Sequence, residues 1–117
     1  WIEVGWTSDP HSLINASDMF MLPNKETYFD LVMLEVLSLG KIIIASYTGG
    51  NKYFKSSFAK GVFTYSKLEE AAQLIHNVYD MDFELKNELE RSNRLLFEQC
   101  FSLEIFAKNY IQLINSI

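Results

Sequence analysis

The stretch that decides the fold runs from Met19 to Ser46 and reads MFMLPNKETYFDLVMLEVLSLGKIIIAS. Its apolar run Met19–Leu22 predicts a strand buried on both faces, and the β-branched run Ile42–Ser46 predicts a second strand. Between them, Asp30–Leu39 predicts a helix that ends at Gly40, because glycine is common just past a helix end. A strand, a helix and another strand in this order indicate parallel pairing in an α/β layer.

Short elements flank this stretch on both sides. We expect strands at Trp1–Trp6 and Gly61–Tyr65, and a short helix at His11–Ala16 that is capped by Asp9. With the central strands, these segments predict an α/β fold with a partial Rossmann-like parallel sheet of about four short strands and helices on both faces.

The last part of the chain is predicted to be helical. Ser66 and Glu69 form a capping box that opens one helix, and Glu84–Gln99 forms a second, mostly solvated helix. The first of these has an apolar face made of Leu68, Ala71, Ala72, Ile75 and Val78. Ser102 caps the final helix. Its apolar stripe is expected to join the core and consists of Leu103, Phe106, Tyr110, Leu113, Ile114 and Ile117.

The net charge and the hydropathy of the chain exclude several classes of function. The 117 residues have a net charge of −5, whereas general nucleic-acid binding needs a basic face; a local phosphate site is compatible with this charge. No apolar run reaches the roughly 18 residues of a membrane span, and Trp1 does not begin a signal peptide. Because the chain opens on strand-like residues without an initiator Met, we expect it to be part of a longer protein.

The cysteine and the histidines suggest no metal or redox site. The single Cys100 cannot form an internal disulfide, which is typical of a reducing compartment, and we expect it to be a buried, unreactive thiol. His11 and His76 lack the spacing of a metal pair, and His76 is expected to lie in solvent. No metal and no cofactor are predicted.

Glu35 is the first candidate functional residue. It lies on the predicted Asp30–Leu39 helix, whose apolar residues point in almost every direction, a pattern typical of a buried helix. A buried carboxylate needs hydrogen-bond donors or a charge partner. Sugar or ribose hydroxyls would serve, and so would an internal structural partner, so the helix by itself leaves both interpretations open.

The loop Pro23–Phe29 gives this helix a second functional feature. It joins the carboxyl end of a strand to the helix start, and open α/β sheets bind ligands at that edge. The free N–H groups and the positive dipole end of a helix start favour a phosphate. Since every strand–helix unit has such a start, this signal is weak by itself.

The segment Ala16–Gly50 resembles the donor-binding motif of group 1 (family 4) retaining glycosyltransferases, which have the glycosyltransferase-B fold. The matching residues are Leu22-Pro23, Phe29, Leu31-Val32, Leu34-Glu35, Leu39-Gly40-Lys41, Ile42–Ser46 and Gly49-Gly50-Asn51. The segment Phe101–Tyr110 is also similar to the helix that closes these chains. In the family's fold that helix often crosses back toward the other domain, so the resemblance implies that its apolar face would be exposed where that domain is absent. The resemblance implies that residues 1–117 are the C-terminal part of a nucleotide-sugar donor-binding domain, with the acceptor domain absent.

The resemblance also implies roles for individual residues. Glu35 would bind the ribose hydroxyls. The donor sugar would contact Glu26, Thr27 and Phe29. Backbone amides of Asp30, Leu31 and Val32 would bind the diphosphate. The loop of Thr48, Gly49 and Gly50 would border the site, where the missing side chains would let a ligand approach the backbone.

Two departures from the family pattern affect this site. Eight residues separate Glu26 from Glu35, where the family has seven, so Thr27 stands at the first acidic position. Either a one-residue bulge returns Glu26 to that position, or Thr27 makes the contact. Asp30 stands where the family usually has Gly; its carboxylate would cap the helix or, if it pointed inward, would repel a diphosphate.

By the resemblance, the parent enzyme transfers a sugar from a nucleotide diphosphate donor to a glycan, lipid or protein acceptor with retention of configuration. The diphosphate-binding cations and the acceptor domain would precede Trp1. Lys25 and Lys41 are the only cations near the motif, and Lys41 lies at the end of its strand that is opposite the predicted ligand edge. The implied location is cytoplasmic, and the inner face of the membrane remains open for the parent. The alternative function is a non-catalytic glycosyltransferase-like module that binds a nucleotide or a protein.

The predicted strand Trp1–Trp6 would lack its neighbours in such a part of the sheet. We expect one of three outcomes: it pairs within this sheet, it pairs with a second copy of the chain, or it is loosely held. The second outcome would make the chain self-associate, because an open apolar strand edge favours association.

Overall fold

The computed structural model describes residues 1–117 and has an α/β fold with a parallel sheet. The strands are β1 (Met19–Leu22), β2 (Ile42–Ser46) and β3 (Val62–Tyr65), and they lie side by side in this order. Met19 pairs with Ile42, and Ile43 pairs with Val62. The predicted parallel sheet is confirmed, but with three strands and not about four.

The missing strand is Trp1–Trp6, which forms no regular structure and pairs with nothing. Its Trp1 and Trp6 side chains are exposed, and so are Ile2 and Val4. The prediction of a strand here was wrong, because an apolar pattern becomes a strand only where a neighbouring strand can take up its backbone hydrogen bonds. Of the three expected outcomes, pairing within this sheet was wrong, and the other two stay predictions.

Helices cover both faces of the sheet, as predicted. The bounds are α1 Pro10–Ala16, α2 Leu31–Ser38, α3 Leu68–Asp80, α4 Phe83–Leu96 and α5 Leu103–Ser116. A 3-10 turn, Gly49–Tyr53, follows β2, and a π-helical turn, Phe97–Phe101, links α4 to α5. No helix of the chain combines the length and the apolarity that crossing a membrane requires.

The β2 strand lies at the centre of the core, and its residues alternate between the two faces. Ile43 and Ala45 pack against α1, α2 and the end of α4, whereas Ile42 and Ile44 pack against α3 and the first part of α4. All four side chains are fully buried. Residues Met19–Met21 of β1 are only half-buried, because β1 is an edge strand; the expectation of burial on both faces was wrong there.

Two of the predicted helix caps are confirmed, and the details of a third differ from the prediction. Gly40 has a positive φ of 69° and ends α2 with two hydrogen bonds, from its own N–H to Leu37 and from the Lys41 N–H to Val36. The Asp9 carboxylate caps α1 as predicted. At α3, however, Glu70 and not Glu69 accepts the backbone bonds, from the N–H groups of Ser66 and Lys67.

Two predicted apolar faces are less buried than expected. On α3, only Ala71 and Val78 of the predicted face are buried, whereas Leu68, Ala72 and Ile75 are exposed. On α5 no residue is buried, so the prediction that its stripe joins the core was wrong. The stripe residues Leu103, Phe106, Tyr110, Leu113, Ile114 and Ile117 are all exposed. Periodicity identifies the apolar side of a helix, but not a surface that would cover it.

Candidate functional site

The site begins at the amino end of α2, where backbone donors are free. Asp30 is the N-cap residue, but its side chain does not bond to the helix. The carboxylate instead accepts hydrogen bonds from the Asn24 side-chain amide and, at 2.8 Å, from the Thr27 hydroxyl. The N–H groups of Leu31 and Val32 therefore make no hydrogen bond within the chain. Such groups, at the positive end of a helix, are suited to an anionic ligand.

The side chain of Asp30 thus has an arrangement that differs from both of those expected from the sequence. Its carboxylate accepts one hydrogen bond from the Asn24 amide and one from the Thr27 hydroxyl, and so connects these two loop residues to the start of the helix. It therefore neither caps α2 nor stands unpaired in front of the free amides. The Thr27 hydroxyl is occupied in the same way, because its proton is donated to Asp30.

Glu26 lies in the same loop but in a different environment. Its side chain is exposed, and it makes neither a hydrogen bond nor an ion pair. Of the two residues considered for the first acidic position, Glu26 thus has the free acceptor oxygens, and Thr27 has a committed hydroxyl. Phe29, the third residue expected at the donor sugar, packs its ring against Phe54 at a centroid distance of 6.0 Å.

Glu35 lies one helical turn after Leu31 on the same side of α2. Its side chain is 50% exposed, which corrects the expectation of a helix buried all round; Leu31 is exposed as well. The Glu35 carboxylate lies 3.7 Å from the Nε2 atom of His11, on α1. One turn rises about 5.4 Å, so the free amides and Glu35 are separated by a distance that a ribose and its attached phosphate can bridge.

His11 is the residue of this site that sequence reasoning missed. It precedes Glu35 by 24 positions and belongs to another helix, so no local spacing indicates the contact. The position of His11 depends on the start of α1, where Asp9 accepts bonds from the Ser12 hydroxyl at 2.6 Å and the Ser12 N–H at 3.1 Å. These bonds lower the pKa of Asp9, the hydroxyl contributing most and the N–H next. Asp9 is therefore a charged cap at neutral pH.

The glycine loop borders the site, but the glycines have a structural explanation. The Gly50 N–H donates to the Tyr28 carbonyl, so the loop at 48–50 is bonded to the loop at 27–29. A Cβ atom at Gly49 would overlap the Thr27 carbonyl, and one at Gly50 would crowd Phe29. The missing side chains thus permit two segments of this chain to approach each other.

The two lysines near the motif have different environments. Lys41 lies at the amino end of β2, as expected, and its ammonium is 3.8 Å from a carboxylate oxygen of Glu90. Lys25 is exposed at the opposite end of the sheet and forms no ion pair. Lys25 is therefore the cation of the motif that remains free for a ligand.

The remaining candidates are separate from this site. His76 is exposed, as expected. Cys100 is exposed as well, so the expectation of a buried thiol was wrong. No group of three or more His, Cys, Asp or Glu side chains converges in the chain as a metal site requires.

No protein-family model matches this chain, and no curated protein matches it. The glycosyltransferase resemblance accordingly rests on the sequence motif alone.

Proposed function

We propose that this chain is the donor-binding part of a retaining glycosyltransferase that uses a nucleotide diphosphate-sugar. One observation supports this proposal most strongly: the free amides of Leu31 and Val32 lie at the start of α2, and the half-exposed Glu35 side chain lies about one turn further along this helix. A nucleoside diphosphate presents an anion and two ribose hydroxyls, so it can accept from the amides and donate to the carboxylate.

The chemistry expected of this site is charge stabilisation on the leaving diphosphate. As the bond to the sugar breaks, negative charge grows on the phosphate oxygen, and fixed N–H groups stabilise it without having to reorient. Glu35 would position the nucleotide through its ribose, and Glu26 would contact the sugar. The cations that complete diphosphate binding and the acceptor domain would belong to other segments of the parent protein, for which we propose a cytoplasmic location.

The proposal can be tested by binding and turnover in the full-length protein. UDP, GDP and their sugar conjugates are titrated into the wild type and into Glu35→Ala by calorimetry, and sugar transfer or donor hydrolysis is followed. We expect the Kd of the preferred nucleotide to rise about ten- to hundred-fold, because hydrogen bonds to a charged group are lost. Absence of nucleotide binding by the wild type would contradict the proposal.

A matched control separates the site from general charge effects. Glu104 is also exposed on a helix, α5, and forms no ion pair. Glu104→Gln removes the same charge outside the site and should leave nucleotide affinity unchanged. Equal losses in Glu104→Gln and Glu35→Gln would show that net charge, and not a ribose contact, explains the effect.

The second candidate function, a non-catalytic nucleotide- or protein-binding module, is favoured by Asp30. Its carboxylate lies at the start of α2, where a diphosphate would bind, and it engages the Thr27 hydroxyl. Turnover distinguishes the two functions: nucleotide binding without sugar transfer or donor hydrolysis, in wild type and in Asp30→Gly alike, would favour the module.

A further inference from the structure

A groove lies between α4 and the segment 53–60. Its volume is about 660 Å³, which is within the range of small-molecule pockets. The α4 residues that line it are three or four positions apart and so share one side of the helix: Glu88, Arg91, Ser92 and Leu95. We call it the α4 groove. None of the residues assigned above to the nucleotide or to the donor sugar lines it.

The side of the α4 groove that belongs to the segment 53–60 is aromatic and held in place. The rings of Tyr53 and Phe58 meet edge-on at a centroid distance of 5.4 Å, and Tyr53 meets Phe54 edge-on at 5.5 Å. The N–H groups of Phe58 and Ala59 both donate to the Lys55 carbonyl, which fixes the turn that carries Phe58. Tyr53 and Phe58 are nevertheless exposed. A wall that is fixed before binding loses less conformational entropy when a ligand arrives.

Three charged side chains line the α4 groove, and all three are unpaired. They are Glu88 and Arg91 on the helix and Lys60 on the segment 53–60. All are exposed, and none forms an ion pair within the chain. Glu88 and Arg91 are three positions apart, a spacing at which opposite charges on a helix commonly pair. The groove therefore presents a negative and a positive group side by side, each free for a ligand.

This mixture of charges decides which class of ligand fits the α4 groove. A simple anion would be repelled by Glu88, and a simple cation would be repelled by Arg91 and Lys60. An uncharged apolar ligand would cover all three charges without pairing them, which costs free energy. A small ligand that has both charges next to each other, together with an apolar part, satisfies the charged groups and the aromatic wall at once.

We propose that the α4 groove binds a free α-amino acid with a large apolar side chain. The ligand carboxylate accepts from the Arg91 guanidinium, whose planar donors match a carboxylate, and the ligand ammonium donates to Glu88. Cβ atoms three positions apart on a helix are about 5–6 Å apart, so two charges on a single carbon atom can reach both partners. The ligand side chain packs against Tyr53 and Phe58. This binding does not depend on a nucleotide at α2.

Calorimetric titration of the full-length protein with four probes tests this proposal. Phenylalanine has both charges and an aromatic ring. Phenylalanine amide lacks the carboxylate, N-acetylphenylalanine lacks the ammonium group, and alanine lacks the ring. We expect phenylalanine to bind about ten-fold more tightly than each of the other three, because each has lost one of the three contacts. Equal affinity for any of them, or no binding of phenylalanine at millimolar concentration, would overturn the proposal.

Two variants assign the charges separately. Glu88→Gln should weaken phenylalanine binding about ten-fold and should not weaken the binding of N-acetylphenylalanine, which has no ammonium group to lose a partner. Arg91→Gln should weaken phenylalanine binding to the same extent and should not weaken the binding of phenylalanine amide. An equal loss of affinity for every probe would show that the variant changes the shape of the groove, and it would overturn the assignment.

Glu84→Gln is the matched control for Glu88→Gln. Glu84 is also an exposed residue of α4 without an ion pair, but it does not line the α4 groove. The control should leave phenylalanine affinity unchanged, and equal losses in the two variants would overturn the contact between Glu88 and the ammonium group. Nucleotide affinity should be the same in Glu88→Gln and in the wild type, which separates this result from the nucleotide proposal.

Discussion

At the amino ends of β2 and β3 polar groups bond to one another, whereas several polar groups that follow the carboxyl end of β1 have no partner within the chain. At the amino ends, the buried Asn93 amide donates to the carbonyls of Lys41 at 2.7 Å and Gly61 at 3.0 Å. The ammonium of Lys41 pairs with Glu90, and Arg94 bonds to the carbonyl of Ser38. Polar groups there hold α4 to the sheet and to α2.

The carboxyl ends use their polar groups differently. The amides of Leu31 and Val32, the carboxylate of Glu26 and the ammonium of Lys25 have no partner within the chain. Such groups contribute little to folding, because water satisfies them equally well in the unfolded chain. The comparison indicates that one end of the sheet maintains the fold and the other end is available for a ligand.

The largest expected effect is at the amino end, for Asn93→Ala. The variant removes two hydrogen bonds from a fully buried side chain and leaves carbonyls that water cannot reach freely. We expect the free energy of unfolding to fall by about 2–4 kcal/mol, measured by urea denaturation. Nucleotide affinity under native conditions should not change.

Ser92→Ala is the control for that experiment, because Ser92 is the preceding residue, half-exposed and without a hydrogen bond. It should change the stability by less than about 0.5 kcal/mol. If Asn93→Ala lowered the free energy of unfolding no more than Ser92→Ala does, the amino end of the sheet would not have the structural role that we assign to it.

An intermediate effect is expected for Gly49→Ala, at the carboxyl end. Gly49 has a positive φ of 48°, and a Cβ atom there would overlap the Thr27 carbonyl. The two loops must move apart, so we expect a loss of about 2 kcal/mol in unfolding free energy, together with weaker nucleotide binding. Denaturation and calorimetry on the same samples measure both quantities.

Gly5→Ala provides the comparison for this variant. Gly5 also has a positive φ, 73°, but nothing lies within 4 Å of the position of its Cβ. The part of the Gly49→Ala stability loss that exceeds the loss in Gly5→Ala measures the cost of separating the two loops. Equal losses for the two variants would contradict a tight loop contact at the site.

The smallest expected effect concerns pH and Glu70, which lies in the first turn of α3, just after the carboxyl end of β3. The N–H groups of Ser66 and then Lys67 lower the pKa of Glu70 from its usual 4.5. Because the folded pKa is the lower one, the contribution to stability is complete above the unfolded value and is lost as the pH falls through the folded value. The stability difference between wild type and Glu70→Gln should therefore be larger at pH 7 than at pH 3.

Glu69→Gln is the control for the pH series, because the exposed Glu69 accepts no hydrogen bond. Its small effect on the unfolding midpoint should be the same at both pH values. If the stability difference between wild type and Glu70→Gln stays constant from pH 7 to pH 3, the two backbone hydrogen bonds do not stabilise the charged carboxylate.

The central elements were predictable from the sequence because their signals are local. The apolar runs of β1 and β2 and the stop at Gly40 depend on neighbouring residues, and the structure confirms them. The strand at Trp1–Trp6 and the buried stripe of α5 were wrong for one reason. Both needed a second surface to cover an apolar face, and a local pattern contains no information about such a surface.

The candidate site was predictable in position and only partly in detail. The start of α2 and Glu35 follow from the strand–loop–helix order, but the exposure of Glu35 depends on how α2 lies against the sheet. The contact of Glu35 with His11 and the bonds of Asp30 to Asn24 and Thr27 form only when the chain is folded. Residue spacing therefore could not indicate them.

The most direct test of the central claim is a map of amide chemical shifts in the chain on titration with UDP and GDP. We expect one of them to shift the resonances of Leu31 and Val32 most strongly, with Glu35 next, and to leave the amides around Asn93 unchanged. If neither nucleotide shifts the α2 amides at millimolar concentration, or if the largest shifts lie at the amino ends of the strands, the start of α2 is not a nucleotide site.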